Sequence, residues 1–298
     1  MAKEFNAGDS NRITREYFDS ILIEMRHIDA VLPDVRLSLY GEVFDTPIMT
    51  AALSHLDKFG YHKDGMVELA RGAKACGAVM WSGMGDDTEL ERIIETGAKT
   101  IKIIKPEADI DSVYRRLKHA EKSGCIALGM DLDHSFNRRG QYDVVDNFSM
   151  RPKTLDDLKQ YVASTKLPFI IKGVLSVQDA LKCMEAGVQG IVVSHHHGIM
   201  EYAVPPLMIL PKIVEAVGGK MNIFVDCGVD SGADVFKALA LGATAISAGR
   251  VLLEPLSKKG ADGVKEKINE MTAQLAGMMA MTCSSDIGNI DSSLIHVR

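Results

Sequence analysis

Eight short apolar runs recur along the chain, each bounded by glycine, proline or polar residues. They cover residues 46–53, 76–82, 99–104, 125–131, 168–172, 189–194, 221–226 and 243–248. Each run is apolar almost throughout, which is typical of strands that are buried on both faces of a parallel sheet. The runs therefore predict eight buried parallel strands.

Segments with helical periodicity separate these strands. Apolar side chains three and four positions apart predict helices over 66–77, 109–124, 176–187 and 232–242, and several of these segments end in glycine, which commonly stops a helix. Strand–helix alternation repeated eight times predicts an α/β fold, a (β/α)8 TIM barrel formed by one domain over residues 1–298. An open, doubly wound parallel sheet is the structural alternative.

Two segments interrupt the alternation. Residues 1–45 precede the first strand as an N-terminal extension, and the amphipathic stretch 13–26 within them is interpreted as a helix that caps the bottom of the barrel. Residues 132–153 follow the fourth strand and are polar and long for a strand–helix loop. Because barrel enzymes keep their chemistry at this face, the loop is interpreted as an active-site lid, with an inert surface loop as the alternative.

Composition narrows the class of protein. The chain has 298 residues, of which 46% are hydrophobic and 25% are charged, and its net charge of -6 argues against nucleic acid as a partner. Neither a membrane-spanning run nor a signal-peptide core is found, so we expect a cytoplasmic protein without a membrane partner. The five cysteines are widely spaced and form no CxxC pair, which argues against disulfides and a structural zinc site.

Nearly every predicted strand ends in a polar or ionisable residue. Because the carboxyl ends of barrel strands meet at one face, these side chains are expected to share a mouth, as they do in barrel enzymes. The residues are Ser54, His55, Ser82, Lys105, Asp131, Asp133, His134, Lys172, Ser194, His195, His196, His197, Asp226, Gly249 and Arg250.

Lys172 ends the fifth run. A lysine in a barrel mouth is costly to bury unless an anionic group meets it. It can serve as a Schiff-base nucleophile toward a carbonyl substrate, or as a fixed positive charge beside a cofactor that becomes anionic. A lysine that extends to solvent is the structural alternative.

Three successive histidines follow the sixth strand. In an extended segment His195 and His197 would point one way and His196 the other. A metal site to which Asp131, Asp133 and His134 contribute is an alternative, but no HxxxH or HExxH spacing occurs, so no metal ligand is predicted. A general base oriented by a carboxylate such as Asp131 is the more economical use of one histidine, and the others are expected to be polar loop residues.

Glycine-rich turns follow the seventh and eighth strands and precede helical segments. Backbone amides at both turns, together with Arg250, are expected to hold a phosphate-bearing ligand. Tight packing of barrel loops is the alternative.

The segments IIKGVLSVQDALKCMEAGVQGIVVSHHHG and IFVDCGVDSGADVFKALALGATAISAGR resemble the FMN-dependent α-hydroxy acid oxidases and dehydrogenases, which include glycolate oxidase and lactate oxidase. Fainter matches, ITREYFDSI, TPIMTAA and IALGMD, follow in the same order, so the resemblance covers nearly the whole chain. It implies bound FMN and hydride transfer from a hydroxyl-bearing small molecule to the flavin. Relatives form tetramers or larger rings, so a homo-oligomer is expected.

The resemblance implies a role for individual residues. His196 would be the base, Asp131 its partner and Lys172 the cation that stabilises reduced flavin. Cofactor contacts are expected at Ser54, Ser82, Lys105, Lys172, Ser194, Asp226, Gly228, Gly249 and Arg250. Lys172 and His196 are expected to face one flavin pocket from opposite sides.

The chain also departs from the family pattern. Ile199 stands where the family has the arginine that grips the substrate carboxylate, and Glu107 stands where it has a tyrosine. The usual carboxylate clamp is therefore expected to be missing, although Arg138 or Arg139 in the lid corresponds to one family arginine. Three further departures lie at cofactor-contacting positions: Lys105 for glutamine, Gly129 for threonine and Asp230 for arginine.

Three functions follow from these residues. The first is an FMN-dependent oxidoreductase that lacks the carboxylate clamp. The second is a lyase or aldolase that forms a Schiff base on Lys172. The third is a flavin-binding protein, or a flavin-dependent isomerase, without net redox turnover.

Overall fold

The computed structural model describes residues 6–298. Its strands are β1 (Ile21–Ile23), β2 (Leu37–Leu39), β3 (Glu42–Phe44), β4 (Ile48–Thr50), β5 (Met80–Ser82), β6 (Thr100–Ile104), β7 (Ala127–Asp131), β8 (Val144–Val145), β9 (Phe148–Ser149), β10 (Phe169–Val174), β11 (Gly190–Val193), β12 (Asn222–Val225), β13 (Ala245–Ala248) and β14 (Ile295–Val297). Its helices are α1 (Ser10–Ser20), α2 (Gly65–Ala75), α3 (Asp87–Glu95), α4 (Ile110–Ser123), α5 (Leu155–Ala163), α6 (Val177–Glu185), α7 (Pro206–Val217), α8 (Gly232–Ala240) and α9 (Arg250–Ala280), followed by a short 3-10 helix at Ser292–Leu294. None of the helices within residues 6–298 combines the length and the apolar character needed to cross a bilayer.

Eight parallel strands form a barrel. Each predicted apolar run coincides with one of them, although β10 continues two residues beyond its run to Val174. Their spatial order β4–β5–β6–β7–β10–β11–β12–β13 follows the chain. The array closes between β4 and β5, where Leu53 pairs with Ser82 and the Thr50 N–H donates to the Val79 carbonyl at 3.1 Å. Sequential order and closure confirm the TIM barrel and exclude the open doubly wound sheet.

The helices predicted between the strands are confirmed within three residues at either end. The predicted helix over 66–77 is α2, that over 109–124 is α4, and the remaining two are α6 and α8. α4 ends where Gly124 adopts a left-handed conformation with φ of 96°, which a glycine adopts without strain.

Side chains alternate between the inside and the outside of the barrel. An inner cluster contains Trp81 and Phe224, whose rings meet edge to face at 5.4 Å, while their strand neighbours Met80 and Val225 belong to the outer cluster beneath the helices. Continuing this alternation toward the carboxyl ends makes six inner positions polar or small: Lys105, Asp131, Lys172, Ser194, Asp226 and Gly249. The chemistry-bearing residues therefore form the top layer of the barrel interior.

The bottom of the barrel is closed by a hairpin rather than by the amphipathic helix. Leu37, Leu39 and Phe44 from β2 and β3 pack into the inner cluster. The interpretation of 13–26 as one bottom-capping helix is wrong, because the helix ends at Ser20 and β1 follows, paired with β14. Helix α1 instead contacts the loops at the carboxyl ends of β11 and β12, where its buried polar face finds hydrogen-bond partners.

The segment 132–153 folds across the mouth of the barrel. It contains the two-stranded hairpin β8–β9 and is bonded to the loop after β6, where the Ala108 N–H donates to the Ser149 carbonyl at 2.8 Å. A second contact joins the segment to the loop after β4, where Asp146 lies 3.1 Å from Nε2 of His55.

The hairpin provides a test of how the barrel bottom is stabilised. Leu39 is 3% exposed, so Leu39→Ala leaves a cavity in the inner core, and we expect it to lower the free energy of unfolding by about 2–5 kcal/mol. Val43 in the same hairpin is 64% exposed, so Val43→Ala is expected to change it by less than about 0.5 kcal/mol. Urea unfolding measures both values. Equal losses in the two variants would contradict the role of the β2–β3 hairpin in closing the bottom of the barrel.

Candidate active site

Lys172 lies at the centre of the mouth and is almost completely buried. Its Nζ is 3.6 Å from Oδ2 of Asp131, 3.7 Å from Oδ2 of Asp133 and 3.9 Å from Oδ2 of Asp226. Alternation on β7, β10 and β12 places these groups here. The ammonium thus meets the anionic partners that its burial requires.

His196 shares this cluster. Its Nδ1 lies 2.6 Å from Oδ1 of Asp133 and 3.3 Å from Oδ2 of Asp131. Lys172 Nζ lies 3.0 Å from the same nitrogen, so the two groups are neighbours. This corrects the expectation that they face a pocket from opposite sides. Nδ1 thus has two polar neighbours, the Asp133 carboxylate, which accepts hydrogen bonds when ionised, and the Lys172 ammonium, which donates them. The tautomer in which Nδ1–H donates to Asp133 leaves the lone pair of Nε2 free.

The charges in the cluster set the protonation of its members. Burial alone would lower the pKa of Lys172, but the negative charges of the three aspartates outweigh it and raise that pKa. Burial would raise the pKa of Asp131, but the positive charges of Lys172 and Lys105 hold it well below its usual value. The pKa of Asp133 is raised by burial and by the charge of Asp131. Lys172 is therefore held as an ammonium ion.

Opposing effects also act on His196. Burial and the charge of Lys172 lower its pKa, whereas the charge of Asp131 and the hydrogen bonds of Asp131 and Asp133 to the ring raise it, and the net shift is upward. These carboxylates stabilise the imidazolium form, as a base that has taken up a proton requires.

The three histidines have separate environments. His195 is buried and accepts from the Gly198 N–H at Nδ1, so its Nε2 carries the proton and donates to Thr14 Oγ1 at 2.8 Å. His197 Nδ1 lies 2.7 Å from Oδ1 of Asn11. His195 and His197 thus face α1 while His196 faces the mouth, which is the predicted grouping. It arises from a turn rather than a strand, because φ is positive at His196 and His197.

Three further candidates surround the cluster. Lys105 Nζ donates to Asp131 Oδ2 at 2.8 Å. Ser194 Oγ accepts from the His196 backbone N–H at 3.0 Å and so holds the turn that carries the imidazole. Asp226 Oδ1 accepts from the Cys227 thiol at 3.0 Å.

Two candidates lie outside the cluster. Ser82 is adjacent to the inward-facing Trp81, so it points out of the barrel, where Lys102 Nζ lies 3.3 Å from its Oγ. Ser54 lies in the loop after β4 and makes no polar contact with the cluster within the described residues. Neither side chain is brought to Lys172 or His196.

The two glycine-rich turns differ in what they offer to a phosphate. At the turn before α8, the N–H groups of Asp230 and Ser231 already donate to Asp234 Oδ2, at 3.0 and 3.2 Å. At the turn before α9, Gly249 precedes a helix start that no side chain caps. The exposed Arg250 lies beside that start. The expectation that both turns supply free amides therefore applies only to the second turn.

A guanidinium group from helix α1 reaches the loop that carries Asp230. Arg15 pairs with Asp234 through two contacts of 2.9 Å and donates to the Gly228 carbonyl at 2.9 Å. Its Nη1 lies 3.8 Å from Asp230 Oδ2. A guanidinium group thus reaches this loop from another element.

The remaining departures have structural explanations. Glu107 is buried and pairs with Arg116 at 2.8 Å, so its carboxylate does not face the His196 cluster. Arg138 from the lid donates to the carbonyls of Gly198 and Ile199, at 3.0 and 3.3 Å. A Cβ atom at Gly129 would lie 2.3 Å from the Ile170 carbonyl oxygen, so the close packing of β7 against β10 requires glycine.

Sequence reasoning placed Asp133 at the mouth but missed its contact with His196, and it missed three residues at the start of the chain. Asp133 is closer to His196 than the expected partner Asp131, and the only signal was the spacing of two residues, which lets both side chains point to one side. Asn11, Thr14 and Arg15 were missed because their helix was assigned to the opposite end of the barrel.

Comparison with known proteins places this site in a family. The model of the family described as FMN-dependent dehydrogenase matches residues 2–156 and 153–297. The chain belongs to the FMN-dependent dehydrogenase family. It is therefore an FMN-dependent enzyme of the 2-hydroxyacid oxidase type.

Individual relatives align with most or all of the chain. The peroxisomal (S)-2-hydroxyacid oxidase GLO4 of Arabidopsis thaliana is 30% identical over 93% of this chain and 83% of its own. The L-lactate oxidase of Roseobacter sp. (strain GAI101) is 29% identical over 87% and 79%. Among solved structures, a mandelate oxidase variant with the monooxide FMN adduct aligns with a TM-score of 0.89 and 26% identity, covering 100% of this chain and 94% of the other.

The residues present fit FMN. Buried in the mouth, Asp131 Oδ1 has no hydrogen-bond partner, and the ammonium of Lys172 stands beside it. The uncapped start of α9 and the guanidinium of Arg250 are suited to a phosphate group. Asp131 and Lys172 thus provide polar groups for the ring system of FMN, and the start of α9 with Arg250 provides positive charge for its phosphate.

Proposed function

We propose that the chain oxidises a hydroxyl-bearing small molecule, with His196 taking the hydroxyl proton and Lys172 acting as a fixed positive charge. When bound, FMN supplies the acceptor for the hydride that leaves the substrate carbon. The observation that carries the proposal is the carboxylate-held imidazole of His196 beside the buried ammonium of Lys172.

His196 has the properties of a general base. In the tautomer whose Nδ1 proton is donated to Asp133, Nε2 is the atom that accepts the hydroxyl proton. The nearby charges of Asp131 and Asp133 then stabilise the imidazolium.

Lys172 supports charge stabilisation rather than a Schiff base. A nucleophilic amine must be neutral, whereas the three aspartates raise the pKa of Lys172 and keep it charged. A fixed ammonium ion in a buried mouth stabilises negative charge that develops next to it.

The phosphate end is assigned to the turn between β13 and α9. Gly249 and Arg250 would hold the FMN phosphate, while Ser194 and Asp226 line the mouth near Lys172. Lys105 contributes through its ion pair with Asp131.

A crossed pair of variants tests these assignments. His196→Ala removes the base and is expected to slow substrate-dependent flavin reduction by about 10²–10⁴-fold, as for other general bases. Arg250→Gln is expected to weaken FMN binding by about tenfold without weakening riboflavin binding, because riboflavin lacks the phosphate. Anaerobic stopped-flow absorbance measures the first effect, and fluorescence titration of flavin-free protein measures the second.

The outcomes of this pair separate the alternatives. Flavin reduction at the parental rate in His196→Ala would contradict the base. A protein that binds FMN but shows no reduction with any hydroxy compound, before or after substitution, would favour a flavin-binding protein or an isomerase without net redox turnover. Equal losses for FMN and riboflavin in Arg250→Gln would contradict the phosphate site.

The substrate-binding site is proposed to lack the arginine that usually binds a substrate carboxylate. Ile199 provides no charge at the family's arginine position, and Glu107 adds a buried anion that is already paired. The guanidinium of Arg138 in the segment 132–153 already donates to backbone carbonyls. These contacts favour substrates whose group next to the carbinol carbon is neutral.

Matched acid and amide substrates test this preference. An enzyme with an arginine clamp gains about 1.5–3 kcal/mol from the carboxylate, so it prefers lactate to lactamide by at least about tenfold. We expect no such advantage for L-lactate over L-lactamide, or for (S)-mandelate over (S)-mandelamide, in kcat/KM for flavin reduction. Rapid reduction by L-lactate or glycolate that Arg138→Gln abolishes would show instead that the lid supplies the clamp.

The assembly and location are proposed to be a cytoplasmic homo-oligomer of four or more copies. Met25, Ile28 and Leu32 are 67%, 88% and 95% exposed on one short segment, and an interface between copies would cover them. The five cysteines are all free, as the reducing cytoplasm requires. Light scattering after size-exclusion chromatography tests the assembly, and a monomeric mass would contradict it.

A further inference from the structure

Two histidines from different loops converge at the mouth. His134 lies on the lid segment and His196 follows β11, and their Nε2 atoms are 3.3 Å apart. The ring centroids are 4.4 Å apart and the ring planes cross at 84°. The two rings are therefore not arranged end to end along the line that joins the two Nε2 atoms.

A carboxylate holds the far side of each ring. Asp133 accepts from Nδ1 of His196 at 2.6 Å, and Asp143 accepts from Nδ1 of His134 at 2.8 Å. In the tautomers whose Nδ1 protons are donated to these carboxylates, both Nε2 atoms present lone pairs. Two lone pairs at this separation repel each other unless an electron-poor centre, a proton or a metal ion, lies between them.

The spacing matches that of a metal centre. Two imidazole nitrogens bound to one tetrahedral zinc ion, each at about 2.0–2.1 Å, lie about 3.3–3.4 Å apart. A carboxylate on the other nitrogen of each ring is the usual outer partner of a zinc-binding histidine. We propose that His134 and His196 bind a divalent transition-metal ion of the zinc type, with water completing the coordination.

The surroundings define the class of ion. Asp133, His134 and His196 offer ligand atoms within 4.8 Å of one another, and Asp133 serves as an outer partner because it bonds to Nδ1 of His196. Imidazole ligands suit Zn²⁺, Cu²⁺ and Ni²⁺, whereas Mg²⁺ requires oxygen ligands. The side chains of His134 and His196 are 23% and 29% exposed, so an ion can enter from solvent.

The site has a consequence that rests on the proposed function. A metal ion on Nε2 of His196 occupies the lone pair that would accept the hydroxyl proton. Zinc and substrate then compete for one atom, and zinc is an inhibitor of flavin reduction. Metal binding itself does not depend on the proposed reaction.

The test uses the FMN-loaded protein after treatment with a chelator and its removal. Isothermal titration with ZnCl₂ is expected to give one ion per chain, and MgCl₂ none. His134→Gln is expected to weaken zinc binding at least tenfold, and Asp143→Asn, which removes only the outer partner, by about 10–100-fold. His55→Gln is the matched control, because His55 also pairs with a lid carboxylate but has no second imidazole partner among the described residues, and it should retain the parental affinity.

Each outcome decides one point. The absence of stoichiometric zinc binding, or equal affinities in the parent and both site variants, would overturn the metal site and leave a proton shared between the two imidazoles. Zinc binding that His134→Gln weakens, together with slower flavin reduction, supports both the site and the base. Zinc binding that leaves flavin reduction unchanged supports the site and contradicts the base role of His196.

Discussion

The buried ammonium of Lys172 is the group on which the mouth of this barrel depends. The carboxylates of Asp131 and Asp133, at and after the end of β7, and of Asp226, after β12, all lie within 4 Å of its Nζ. Their mutual repulsion in a poorly solvated site would be costly without a cation between them. Lys172 supplies that cation, and Lys105 adds a second one at the edge. Asp131, whose pKa these cations lower, is then held ionised beside His196.

The alternation of barrel strands explains why these groups meet. Residues two apart on a strand share a face, so a strand with apolar residues inside at its centre presents its last inward residue to the mouth. Asp131, Lys172 and Asp226 occupy that position on β7, β10 and β12. The same rule excludes Ser82, whose neighbour Trp81 takes the inward position. The fold thus selects among polar residues that look equivalent as strand ends.

How much of this can be predicted from sequence depends on the distance over which each feature is encoded. The eight apolar runs and their helices are local patterns, and they are sufficient for the barrel and its order. The partners of His196 include Asp131, which the family resemblance implies, but not the closer Asp133, because loop geometry beyond the strand decides that contact. The place of α1 could not be predicted, since an amphipathic pattern shows that a helix packs against something but does not show which end of the barrel it contacts. Asn11, Thr14 and Arg15 therefore become visible only when the chain is folded.

The pair formed by His134 and His196 shows why base chemistry and metal binding are close neighbours in one structure. A carboxylate on Nδ1 fixes the tautomer of an imidazole and makes its Nε2 more basic. Greater basicity of Nε2 favours uptake of a substrate proton, and it also favours donation of the Nε2 lone pair to a metal ion. What separates the two uses is the second imidazole, because a lone base needs an empty approach to Nε2, whereas His134 brings another lone pair to within 3.3 Å. The lid segment that carries His134 thus decides which electron-poor partner His196 meets.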